Sequence, residues 1–281
     1  MSDAIKRILT PLDISAFAEA ASRRACEVAH RHGAEVTGLV VLDSPGIRSS
    51  VAPADVSHWP LVQETVMRAT ADAAERIHEA RDRFATFCEE KSLIHCESEF
   101  EGVPADKILE ASILHDLVVM GLRTFFHFET QKGPGDSLAK VLGRTVTPVL
   151  AVPEKDSGEP YRRAVVAWDG SFSAGRAFRD FLGFSSPYEM EITVLTATPD
   201  VEQGEMLLRE AESFLKAHGV SGYRTELAET TSLDELHEKH LSDTDIIVAG
   251  IHSKRFFVDL FVGSFTNRLI ENGDTALFLS H

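Results

Sequence analysis

Positive charge is scarce in this chain of 281 residues: 28 Lys and Arg stand against 44 Asp and Glu, a formal net charge of −16. That shortage argues against sequence-independent binding of nucleic acid, which needs cations to displace the counterions of the phosphate backbone. It leaves room for a small anionic ligand, because backbone N–H groups at a helix start hold phosphate without any net positive charge. Cysteine is sparse too. Cys26, Cys88 and Cys96 are an odd set, which fits a reducing cytoplasm better than a disulfide framework. They are expected to be buried as small apolar groups. No apolar run reaches the ~18 residues of a membrane helix, and Met1–Leu9 has no apolar core of a secretion signal. A cytoplasmic protein that avoids membranes is expected. Disorder is excluded by composition, since 43% of residues are apolar and 26% charged.

What the chain does have is an internal repeat. Ile8-Leu9-Thr10-Pro11-Leu12-Asp13 is an apolar run closed by an acid, and Ala164-Val165-Val166-Ala167-Trp168-Asp169 is another. Each leads into an amphipathic helix pattern: Ala18, Ala21, Ala25, Val28 and Ala29 share one face, as do Ala174, Ala177, Phe178, Phe181 and Leu182. Farther on, Asp116-Leu117-Val118-Val119-Met120-Gly121 parallels Asp245-Ile246-Ile247-Val248-Ala249-Gly250. Each half closes on a short apolar run, Pro148–Val152 and Thr275–Leu279. Acid to glycine, the first half is longer by 27 residues. The excess falls in a Ser/Pro/Gly loop over Ser44–Pro60 and in a long helix marked by Val62, Val66, Ala69, Ala73, Ile77, Ala80, Phe84 and Phe87.

The strands, among them Val36–Leu42, Leu117–Met120, Ile192–Leu195 and Ile246–Ala249, are apolar at nearly every position. Continuous apolar strands alternating with helices predict parallel sheets covered on both faces. The polar stretch Pro153–Pro160 is the predicted linker. The expectation is two α/β domains, 1–153 and 161–281, each reading β-α-β-α-β-α-β-α-β.

In such a sheet, ligands bind beyond the carboxyl ends of the strands, where the strand order reverses. In the second half Asp169 ends the first strand and Gly250 the fourth, and Gly250, Ser253 and Gly263-Ser264 are spaced G-x₂-S-x₉-G-S. Here the chain resembles the universal stress protein family, in particular its tandem two-domain members, whose nucleotide signature is G-x₂-G-x₉-G-[S/T]. Three of the four positions match, with Ser253 in place of a glycine. Gly102–Ala111 also looks like the family's loop before the third helix. The resemblance spans almost the whole chain. It implies flavodoxin-like (adenine nucleotide alpha hydrolase-like) domains, with five-stranded parallel sheets of order 3-2-1-4-5. It also implies pairing of the two halves through their last strands and allows a homodimer.

By that resemblance, Asp169 and Ala197 flank an adenine, Gly250 and Ser253 line the ribose and α-phosphate, and Gly263, Ser264 and Thr266 hold the outer phosphates. The implied ligand is ATP, with or without Mg²⁺, or another adenine nucleotide. Glycine permits close backbone approach, and a Gly-Ser pair opening a helix offers N–H groups to phosphate. His252, Lys254 and Arg255 either touch phosphate or lie exposed. The first half departs from the signature. After Gly121 the matching positions are Thr124 and Pro134, and Pro134 has no N–H. Asp136 reads as a helix cap, and Phe125, Phe126 and Phe128 fill the loop. This half is not expected to bind ATP.

No nucleophile, base and acid form a legible set. The chain has neither a G-x-S-x-G elbow nor a phosphate loop ending in Gly-Lys-Ser/Thr. The pyrophosphate loop of adenylating synthetases, Ser-Gly-Gly-x-Asp-Ser, is absent after both first strands. Catalysis is expected to be limited to weak ATP hydrolysis at most. His237 and His240 are three residues apart, short of the zincin spacing, and read as a solvated helix face. His30 and His32 suit a helix end, and His95 and Cys96 point to opposite faces of a strand. The leading expectation is a nucleotide-responsive stress regulator. The alternatives are a non-nucleotide interaction protein, or a sensor of a small apolar ligand beneath the first half's Phe-rich loop.

Overall fold

The computed structural model describes residues 5–51, 59–124, 126, 137–230, 232–251, 270 and 273–281. The first half runs β1 (Arg7–Leu12), α1 (Ala16–His32), β2 (Glu35–Leu42), α2 (Ser44–Val51), α3 (Trp59–Glu90), β3 (His95–Glu101), α4 (Pro104–Ser112), β4 (Leu117–Gly121), α5 (Ser137–Leu142) and β5 (Val149–Val152). The second runs β6 (Arg163–Ala167), α6 (Phe172–Ser185), β7 (Glu191–Ala197), α7 (Val201–Ala217), β8 (Tyr223–Ala228), α8 (Leu233–Leu236) with a π turn over His237–Leu241, β9 (Ile246–Gly250) and β10 (Ala276–Ser280).

Both halves have the order 3-2-1-4-5: β3-β2-β1-β4-β5 and β8-β7-β6-β9-β10. The pairs β1–β2, β2–β3 and β1–β4 are parallel, as are β6–β7, β7–β8, β6–β9 and β9–β10. On one side of each first strand the neighbour is apolar and buried at every position, β4 beside β1 and β9 beside β6, and β10 beyond β9 is buried throughout. The outermost β3 is half exposed and correspondingly charged, HCESEFE.

The chain folds as two compact units, one of Lys6–Thr145 with Val152–Gly158, the other including Val146–Ala151 and Glu159–His281. The segment Val149–Ala151 belongs to the second because it runs antiparallel to β10, with Leu150 opposite Phe278. Val152 remains with the first, its carbonyl accepting the Leu122 N–H at 2.9 Å. The polar stretch after it is pinned to α1. Arg24 is almost wholly buried and donates to Asp156 through Nε at 3.1 Å and Nη2 at 2.6 Å. Glu27 lies 3.2 Å from the same guanidinium.

Local signals explain the helices. Ser15 and Ser171 cap α1 and α6, accepting from Ala18 and Ala174 N–H. The predicted apolar face of α1 is buried throughout, while in α6 Leu182 is only half-buried and Phe184 joins the core. Gly33, at φ +62°, ends α1 just after His30 and His32, which lie in its last turn. Ser44–Val51, expected as loop, is helical. The Asp43 side chain accepts from Gly46 N–H at 2.8 Å, so Asp43 caps a helix that Pro45 opens without loss of a needed N–H.

Candidate functional site

The chain moves from β6 to β7 and β8 on one side and to β9 and β10 on the other. The strand order therefore reverses at the β6–β9 boundary, with Ala164 opposite Ile246 and Val166 opposite Val248. Asp169 leaves the carboxyl end of β6, and Gly250 ends β9 beside it. Asp169 is 2% exposed. Its Oδ1 accepts the Ser171 N–H at 2.8 Å, and Gly170 between them has φ +71°. Oδ2 is buried and has no hydrogen-bond partner among the described residues. The acid thus uses one oxygen to build the start of α6 and holds the other bare.

Gly250 sits against that same helix start. A Cβ there would lie 2.5 Å from Ala174 N and 2.7 Å from Ser173 Oγ. The glycine lets the first turn of α6 close onto β9, which brings Ser173, unremarked in the sequence, to the rim of the crevice. Its only sequence signal is the Ser-x-Ser following Asp-Gly. Ala197, at the end of β7, is buried opposite Ala228. Between Asp169 and Ala197 the backbone is tied down by Thr196 Oγ1, which donates to the Trp168 carbonyl at 2.9 Å. Trp168 braces both helices of this face: its Nε1 donates to the Leu207 carbonyl of α7 at 2.9 Å, and its ring meets the Phe178 ring of α6 edge-on at 6.1 Å. Phe172, which opens α6 at this end of the sheet, is fully exposed. Of the predicted site residues, the structure brings together Asp169, Ala197 and Gly250. Ser253, Gly263, Ser264 and Thr266 lie outside the described residues, as do His252, Lys254 and Arg255.

The first half repeats the turn but not the bare oxygen. Asp13 Oδ1 accepts the Ser15 N–H at 2.6 Å. Gly121 stands where a Cβ would come within 2.6 Å of Phe17 Cβ, so its glycine serves the same helix approach as Gly250. Beside Asp13 lies a small cavity of about 10 Å³, between Leu12, Ala18 and Ser22 and the Phe84 and Phe87 rings of α3. The Thr124 hydroxyl is buried and has no partner among the described residues. Phe126 is buried, and Phe125, Phe128, Pro134 and Asp136 lie outside the described residues.

The remaining candidates separate clearly. Cys26 and Cys88 are buried, but Cys96 is exposed, because β3 is an outer strand. Cys96 Sγ lies 3.3 Å from Thr37 Oγ1, while His95, on the opposite face, meets the Phe84 ring edge-on. His240 Nδ1 lies 2.9 Å from Glu226 Oε2. Among the described residues no group of three or more His, Cys, Asp or Glu could hold a metal. None of the described helices is long and apolar enough to cross a membrane. An open groove of about 530 Å³ near Tyr188, Glu191, Tyr223 and Arg224 lies at the amino ends of β7 and β8, away from the strand-order reversal.

No family model matches the chain, and no curated protein matches it in sequence. Solved structures do match in fold. A universal stress protein from Archaeoglobus fulgidus DSM 4304 aligns over 98% of this chain and 97% of its own, at 18% identity and TM-score 0.72. A putative universal stress protein from Pseudomonas aeruginosa UCBPP-PA14 aligns over 99% and 93%, at 12% identity and TM-score 0.55. The cytoplasmic domain of a prokaryotic cation chloride cotransporter aligns over 98% and 95%, at 10% identity and TM-score 0.51. The chain has the tandem α/β fold of universal stress proteins, and that fold also occurs in the cytoplasmic part of a transporter.

Proposed function

We propose that the chain is a tandem universal stress protein of the cytoplasm whose second half binds an adenine nucleotide, with ATP the first candidate. The observation that carries this reading is the bare Oδ2 of Asp169, buried where the strand order reverses. An unsatisfied buried polar group costs about 1–3 kcal/mol, and more when charged. Such a cost, held in the crevice where open α/β sheets bind ligands, fits a group that waits for a donor. An adenine amino group or a ribose hydroxyl supplies one.

The phosphates would fall to Ser253, Gly263, Ser264 and Thr266, whose types and spacing suit backbone and hydroxyl donation. With a net charge of −16, no global attraction brings a polyphosphate in. The local donors must hold it, with Mg²⁺ offsetting its charge. The role in this reading is regulatory, through occupancy of the crevice, with weak ATP hydrolysis at most.

The test is calorimetry with ATP on the wild type and on Gly263→Asp, which places a negative charge in the phosphate segment. Binding by the wild type and a loss of at least tenfold in the variant support the site. Equal affinity in both removes the assignment. Protein purified without added nucleotide and then heat-denatured gives a second measure. If no adenine species is released and no ATP binds, the chain is an interaction protein that uses the fold without the ligand.

A further inference from the structure

The first half carries a pair of groups that the nucleotide reading does not use. Cys26 on α1 and Cys88 on α3 are both completely buried, and their sulfurs lie 3.5 Å apart. They face each other across the α1–α3 seam, 62 residues apart in the chain. The small cavity of about 10 Å³ is lined one helical turn away on each side, by Ser22 and by Phe84. That is about the room one water-sized molecule needs. Outside it, Arg23 lies over the Phe87 ring at 4.9 Å and covers the seam.

We propose that Cys26 and Cys88 are a modification site: on exposure to hydrogen peroxide they close an intramolecular disulfide that joins α3 to α1. One thiol, as thiolate, attacks a peroxide oxygen, becomes a sulfenic acid and releases hydroxide, which takes up the proton that the thiol gave. The second sulfur then attacks the sulfenic sulfur, its proton leaving with the hydroxyl as water. In sum, two thiols lose two protons and two electrons to one peroxide, which becomes two waters. The sulfurs must draw in from contact distance to a bond of about 2.0 Å, a movement that χ1 adjustment and a slight approach of the helices supply. The hydrogen bond to Cys88 and burial together push the Cys26 thiol well above the ordinary range. The thiolate is therefore rare and the reaction slow, and its rate rises with pH by about tenfold per unit while the thiol remains mostly protonated.

Cys96 is exposed and reacts independently, so the experiment uses full-length Cys96→Ser. The protein is treated with hydrogen peroxide under native conditions, denatured, and its free thiols are counted and its peptides mapped without reductant. The expected result is loss of both thiols, a chain lighter by two hydrogen atoms, a peptide linking Cys26 to Cys88, and return of both thiols with dithiothreitol. In the Cys88→Ser/Cys96→Ser chain, Cys26 forms no intramolecular link. Three results overturn the proposal: both thiols survive, both carry added oxygen without a link, or the link joins two chains.

Discussion

Replacing Asp169 by Asn should raise stability and lower nucleotide affinity, a pairing of signs that a merely structural aspartate does not give. In the folded chain Oδ1 takes the Ser171 N–H at 2.8 Å, and Oδ2, equally buried, takes nothing. Burying a carboxylate costs several kcal/mol after relaxation. The charge-assisted bond to Ser171 returns about 2 kcal/mol, and the start of α6 returns about 0.5–1 kcal/mol. Asn keeps an oxygen for Ser171, at about half the bond's value, and gives up the helix contribution, for a loss of roughly 1.5–2 kcal/mol. It removes the larger desolvation cost, so the ligand-free protein should gain about 1 kcal/mol. Toward the ligand the change is adverse, since an acceptor becomes an amide donor facing another donor. Loss of one charge-assisted bond, about 1.5–3 kcal/mol, weakens binding roughly 10- to 100-fold. Urea unfolding of the ligand-free proteins and ATP calorimetry on the same preparations measure both. A variant that loses more than about 1 kcal/mol of stability while binding ATP like the wild type would refute the reasoning, and would leave Asp169 as a turn-former only.

The two strand-end glycines should both resist a methyl group: Gly121→Ala and Gly250→Ala place a Cβ 2.6 Å from Phe17 Cβ and 2.5 Å from Ala174 N. Each is expected to cost about 2–3 kcal/mol in urea unfolding, whereas Gly143→Ala, with its nearest neighbour at 3.5 Å, stays within about 0.5 kcal/mol of wild type. Asp156→Ala strips the buried Arg24 of the carboxylate oxygen that accepts from both its Nε and its Nη2 and should cost about 3 kcal/mol. Arg24→Met made in addition should recover more than half of that, so equal losses in the single and double variants would show that the pair is not coupled. His115 is half-buried, with Nδ1 2.8 Å from the Ala111 carbonyl and Nε2 3.2 Å from Thr37 Oγ1. Burial holds its pKa below 6.5, so the unfolded chain binds the proton more readily. Its contribution to stability is present above pH 6.5 and is lost as pH falls through the folded pKa. His115→Gln should therefore flatten the fall in stability as pH drops below about 7, and an unchanged slope would assign the dependence elsewhere.

The repeat was legible because its causes are local, whereas the strand order came from the family resemblance alone. Buried parallel strands must be apolar at every position, and an Asp-x-Ser after each first strand builds its own turn and cap, as Asp13–Ser15 and Asp169–Ser171 do. What stayed hidden depends on distances between elements. The spacing around Gly250 suggested a cradle for a ligand, and nothing in it told that α6 approaches so closely that Ser173 and Ala174 already occupy the space of a side chain. The bare oxygen of Asp169 could not be read either, since Asp13 stands in the same Asp-x-Ser pattern. The helix over Ser44–Val51 was obscured by composition, because Ser, Pro and Gly signal a loop unless Asp43 is recognised as the cap. Exposure of Cys96 followed from the outer position of β3, which no residue of that strand announces alone.

The two halves therefore differ for a reason other than their glycines. Gly121 and Gly250 answer the same steric demand, and a chain that never met a nucleotide would need both. The difference lies in what stands beside the acid. In the first half the extra residues build α3, whose Phe84 and Phe87 rings close the space next to Asp13 to about 10 Å³. Phe84 also presses on β2, where a Cβ on Gly38 would lie 2.6 Å from its ring, so that strand and helix are fitted to one another. In the second half the corresponding crossover helix, α7, has 17 residues against the 32 of α3, Gly170 stands where the first half has Ile14, and the acid keeps an oxygen without a partner among the described residues. A packed crevice gains by burial whether or not a ligand exists. A bare carboxylate oxygen gains nothing until a donor arrives, so the second half is the one whose structure argues for a ligand.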